Sequence, residues 1–124
     1  MLKWFKRDKG SGGPDFSAVD SQKKAEELHR QGVLHKLLLM PAEFGGAEIP
    51  ENVVFVPEFA VELKAQIDLD IIRPLIEQGT VRRYFAAPEY EGNSFIPCNI
   101  RIVASDPGQF EASVAIWGKA LQQK

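Results

Sequence analysis

The run Phe95-Ile-Pro-Cys-Asn-Ile-Arg-Ile-Val-Ala104 alternates in character: Ile96, Cys98, Ile100 and Ile102 fall on one side, Asn99 and Arg101 on the other. A two-residue period belongs to a strand with one face on a core and the other in water. Upstream, Thr80–Ala87 is a second β-prone run. The segment Pro88–Ser94 between them, with Gly92-Asn93, has the composition of a hairpin connection. The spacing predicts an antiparallel pair.

Downstream, Asp106-Pro107 reads as an N-cap followed by a first-turn proline. Phe110, Val114, Trp117 and Leu121 would then mark one face of a C-terminal helix. Upstream, Pro57 suits the first turn of a helix on which Phe59, Leu63, Ile67 and Ile71 repeat every four residues. Pro74 lacks an N–H and crowds the carbonyl four residues back, predicting a kink or break near 68–70, with Gly79 closing the second piece. Val53–Val56 is a short strand, and Val33–Met40, apolar on both sides, an interior one. A capping box at Ser17–Asp20 would open a first helix over 18–31, ended by Gly32.

The order is α-β-β-α-β-β-α. It predicts an α+β domain with a mainly antiparallel four-stranded sheet and helices packed on a face. The candidate core is Leu34, Leu38, Phe55, Phe59, Leu63, Ile67, Leu75, Phe85, Ile100, Ile102, Phe110 and Trp117. At 124 residues, 44% hydrophobic and 26% charged, the chain has the size and composition of one globular domain rather than a disordered or collagenous chain.

The formal charge of −2 conceals a division. Residues 1–10 carry Lys3, Lys6, Arg7 and Lys9 against Asp8, a net +3, whereas the remaining 114 residues hold 11 basic and 16 acidic side chains, a net −5. Gly10-Ser11-Gly12-Gly13-Pro14 reads as a flexible linker, so residues 1–14 form a tail and 15–124 the folded domain. Trp4 and Phe5 among Lys3, Lys6 and Arg7 suit weak docking on a membrane surface or anionic partner; the plainer reading is a frayed terminus. Residues 1–10 lack the continuous apolar stretch of a secretory signal, and no run approaches a membrane span. A lone Cys98 fits a reducing compartment, so the expected location is cytoplasmic.

Catalytic constellations are scarce. Cys98 lies on the apolar side of its strand, as a small hydrophobe does. His29 and His35 supply too few ligands for zinc, so neither metal nor cofactor is expected. No phosphate-binding glycine motif or nucleophile elbow occurs. Asp68 and Asp70 read as helix-associated carboxylates, Glu89 and Glu91 as solvated loop acids. Arg83 and Arg101 would share a sheet face near Tyr84, Phe85, Tyr90 and Phe95, the residue types of single-strand nucleic-acid readers. A body at −5 argues against nucleic acid and for arginines paired with Glu89, Glu91 or Asp106. The loop Ala87–Ser94 sets Tyr90 between Glu89 and Glu91, an aromatic anchor of the kind binding loops carry.

Residues 49–121 also resemble the C-terminal module of the SseB (enhanced serine sensitivity) family. The matching features are Val53-Val54-Phe55, Pro57-Glu58-Phe59, Gly79-Thr80-Val81-Arg82-Arg83-Tyr84, and Ile100-Arg101-Ile102-Val103 followed by an Asp-Pro-Gly turn and helix. The resemblance implies a non-enzymatic cytoplasmic protein and no catalytic residues. Three functional readings follow. The first is a non-catalytic domain that binds or regulates a protein partner through Tyr90, Phe95, Glu89 and Glu91. The second is a small ligand-binding domain or enzyme with a pocket around Arg83, Arg101 and His35. The third is an immunity-type or tail-docked membrane-peripheral protein. An exposed edge strand would also allow two copies to pair.

Overall fold

A computed structural model describes residues 6–7 and 14–122. Lys6–Arg7 (β1) pairs antiparallel with Pro14–Asp15 (β2), so part of the expected tail is backbone-paired to the start of the domain. Lys3, Trp4 and Phe5 lie outside the described residues, as do the side chains of Lys6 and Arg7.

The first helix, α1 (Gln22–Arg30), starts four residues later than expected. Ser21 is its N-cap, its Oγ accepting from Lys24 N–H at 3.2 Å. Phe16–Val19 instead makes a turn, Val19 N–H donating to Phe16 O at 3.0 Å, that drives both side chains into the core. The apolar face of α1, Ala25 and Leu28, is fully buried.

His35–Leu38 (β3) pairs antiparallel with Val53–Val56 (β4), and these two strands form a sheet of their own. The interior strand expected over 33–40 is therefore short and has one partner. Asn52 clamps the connection: Met40 N–H donates to its Oδ1, and its Nδ2 donates to Met40 O and Ala47 O. Gly46 is required here, because a Cβ would sit 1.8 Å from Met40 O.

The chain then runs as one helical rod: α2 (Glu58–Ala65), a π-helical stretch over Gln66–Ile72, and α3 (Arg73–Glu77). Of the kink or break expected near 68–70, no break occurs: the chain stays helical there, with its α-helical geometry replaced by the π-helical stretch. The wider turn N-terminal to Pro74 absorbs its missing N–H and ring, and Arg73 N–H reaches five residues back to Asp68 O. The four-residue repeat is real, but its buried row is Ala60, Lys64, Asp68 and Ile72, one position on from the apolar row. Phe59, Leu63 and Ile71 are 37%, 42% and 43% exposed.

Val81–Glu89 (β5), Asn99–Pro107 (β6) and Gln109–Ala115 (β7) form an antiparallel meander. The predicted hairpin is present, with Ala86 opposite Ile102. Its second strand starts at Asn99; Ile96 and Cys98 are buried in the preceding loop. The predicted C-terminal helix is mostly a strand, and among the described residues of that segment Lys119–Gln122 (α4) alone is helical. The Asp106-Pro107-Gly108 turn reverses the chain: Asp106 has φ +73°, the peptide before Pro107 is cis, and Gly108 packs so closely on Thr80 that a Cβ would lie 2.8 Å from its carbonyl oxygen. This also replaces the helix that the SseB-like pattern placed after that turn. The seventh element is thus β, and in place of one four-stranded sheet the meander stands beside the β3–β4 pair.

Ile100, Ile102, Ala104 and Val114 cover the inner face of the meander. Trp117 seals one end, edge-on to Phe16 at 6.4 Å, with its Nε1–H donating to Ile96 O. Phe85, expected in the core, is 56% exposed on the outer face. No described helix is long and apolar enough to cross a membrane.

Candidate functional site

The register places Arg83 opposite Ser105 and Arg101 opposite Ala87. Both arginines therefore share the outer face, separated by the Phe85–Val103 pair. Arg83 meets Asp106 at 3.4 Å and Arg101 meets Glu111 at 3.6 Å, all four side chains being about half exposed or more. His35 belongs to the other sheet, and the structure does not bring these three together. Glu89 accepts from Asn99 Nδ2 at 2.9 Å, and Glu91 accepts from Lys119 N–H at 2.9 Å at the start of α4. Cys98 donates to Glu89 O, and burial with the nearby Glu91 and Glu89 charges holds its thiol pKa up, away from nucleophilic duty. Among the described residues no His/Cys/Asp/Glu group is arranged to hold a metal ion.

Tyr90 and Phe95, by contrast, come together. They form one wall of a groove of about 640 Å³; Gln22 and Glu26 of α1 supply another, and Lys36, Glu48, Ile49 and Pro50 a third. Ile49, Tyr90 and Phe95 are each close to half exposed. The floor is Val53, Val54 and Phe55. A strand face offers alternate residues, so three consecutive ones mean that the groove runs along the strand's edge.

The hydrogen-bond phase of that edge follows from the pairing. Leu39 N–H donates to Asn52 O at 2.8 Å, which makes 39/52 a bonded pair and, by alternation, 37/54 and 35/56 as well. Val53 and Phe55 then belong to the non-bonded pairs, and their main-chain groups face away from β3. Val53 N–H is satisfied by Pro50 O. The N–H and C=O of Phe55 and the C=O of Val53 thus point away from β3, on the strand whose residues line the groove.

A second constellation escaped the sequence reading. Lys64 and Asp68, on adjacent turns of the rod, are 1% and 3% exposed at their side chains and 2.6 Å apart. Lys64 Nζ also donates to the Tyr84 hydroxyl at 2.8 Å, and that hydroxyl donates to Asp68 Oδ1 at 2.7 Å. Desolvation pulls the Lys64 pKa down, with the Asp68 carboxylate and more distant Glu43 opposing it. Desolvation and Asp68 push the Tyr84 phenol far above its ordinary range. Lys64 and Asp68 border a pocket of about 220 Å³ whose other walls are mostly aliphatic, including Leu37, Leu38, Val61 and Leu69. The available signal was the placement of Lys64 and Asp68 four apart, in register with Ala60 and Ile72.

Comparison with family models, with curated proteins and with solved structures gives no match.

Proposed function

We propose that this is a non-catalytic, cytoplasmic protein-binding domain that takes an extended segment of its partner as an added strand along β4. The open main-chain edge at the floor of the groove carries this reading. Strand addition draws affinity from main-chain hydrogen bonds and selectivity from side-chain pockets at alternate positions. Phe55 offers the main-chain pair, and Ile49, Tyr90 and Phe95 offer apolar surface on either side. Lys36 and Glu48 pair with each other on the rim at 3.2 Å, so Glu26, with a body at −5, is the charge that favours a segment carrying a basic residue between its apolar ones.

Selection of extended peptides from a random library, followed by amide chemical-shift mapping, tests this. Selected peptides are expected to shift Val53–Val56, and Tyr90→Ala with Phe95→Ala to weaken them by about tenfold or more, within the range for buried aromatic anchors. Peptides that leave the Phe55 amide unmoved, or that bind the double variant equally well, would place the binding surface elsewhere.

A further inference from the structure

The Lys64 cluster lies apart from the groove and has its own chemistry. We propose that Lys64 is a reactive amine at the wall of an apolar pocket, where it captures small aldehydes or ketones as a Schiff base. The pocket's roughly 220 Å³ equals about seven waters of liquid volume, room for a small molecule but not a peptide. Its aliphatic walls suit the carbon skeleton of such a compound, and the amine stands beside a proton acceptor at 2.6 Å.

The step balances on groups already present. Asp68 takes one proton from the Lys64 ammonium, leaving the Nζ lone pair free. That pair attacks the carbonyl carbon, and the C=O π pair moves to oxygen. Proton transfer from nitrogen to that oxygen gives a neutral carbinolamine. Asp68 returns its proton to the hydroxyl, which leaves as water while the remaining nitrogen pair forms C=N. The product is a protonated imine beside a carboxylate, so the pocket again holds one cation and one anion. Desolvation favours the neutral lysine needed at the start.

Tyr84 is a positioning residue. Its hydroxyl accepts from Nζ at 2.8 Å and donates to Asp68 Oδ1 at 2.7 Å, with Leu39 O 3.3 Å away. Glu43, at the pocket wall, is the other charged group facing the amine.

The test is reductive trapping. The full chain is incubated at pH 7 with butyraldehyde or benzaldehyde and sodium cyanoborohydride, and the adducts are located by peptide mapping. Lys64 is expected to be modified faster than Lys36, because desolvation lowers its pKa and so raises its neutral fraction. Its rate should saturate with aldehyde concentration, as binding in a pocket requires. Lys64→Arg should abolish that adduct and leave the surface ones. Labelling of Lys36 with Lys64 untouched, or a Lys64 rate that is linear in aldehyde and no faster than that of Lys36, overturns the proposal. Wild-type mapping decides the matter even if the variant fails to fold.

Discussion

A lysine with 1% of its side chain exposed is held in place only while its partners remain. Replacing Lys64 by Met strands the Asp68 carboxylate and should cost about 3–5 kcal/mol in urea unfolding. Replacing both, Lys64→Met with Asp68→Leu, should recover most of that loss, leaving the double variant far less destabilised than the two single losses added together. Additive losses would mean that water already reaches the pair. Tyr84 gives a separate signature. Its ordinary pKa is 10.0, and burial raises it in the folded chain. Above pH 10 the unfolded chain therefore releases a proton that the folded chain keeps, and stability falls as pH rises. Below pH 10 the contribution is fully present. Lys64, shifted downward, acts oppositely and raises stability with pH up to its ordinary 10.5. Tyr84→Phe should flatten the alkaline downturn, a slope of at most about 1.4 kcal/mol per pH unit for one group. The half-exposed Tyr90 retains a smaller share. An unchanged alkaline limb would show the phenol to be solvated.

Among the elements, strands declared themselves where parity was unbroken. Ile100 and Ile102 alternate with Asn99 and Arg101, and the antiparallel pair lies where that pattern put it. The Asp106–Gly108 region misled because Phe110 and Val114, four apart, share a face in either a helix or a strand. Ala112 and Ile116 fill the even positions between and after them, and those decide for β. The helical rod misled differently. Hydrophobicity marked the Phe59 row as buried, whereas the rod turns inward the row holding Lys64 and Asp68, whose charges satisfy each other and the Tyr84 hydroxyl. No hydropathy pattern signals a buried ionic row; the four-residue spacing of Lys64 and Asp68, in register with Ala60 and Ile72, is the one trace the second constellation leaves in the sequence. Tyr90 and Phe95 were legible as exposed aromatics around a loop, but their convergence on β4 needed the fold.

At the scale of the whole molecule, the 94–98 loop joins distant parts of the chain. Ser94 Oγ donates to Phe16 O at 2.8 Å, Phe95 N–H donates to Val19 O at 2.7 Å, and Ile116 N–H donates to Cys98 O at 2.8 Å. Trp117 covers Phe16 from the other side. Trp117→Ala should therefore cost about 3–5 kcal/mol. Hydrogen exchange should show protection lost together in Phe16–Leu28 and in Ile96–Ile116, rather than at 117 alone. Loss confined to the last strand would mean that these regions fold as separate units.

That clasp bears on how the protein is made. Phe16 leaves the ribosome roughly a hundred residues before the tryptophan that covers it, an interval of about 5–20 s at ordinary elongation rates. For most of it Phe16 and Val19 lack the loop, and throughout it the indole, that bury them. The nascent chain thus carries an adhesive apolar segment over that interval, and the later-made part of the core is what retires it.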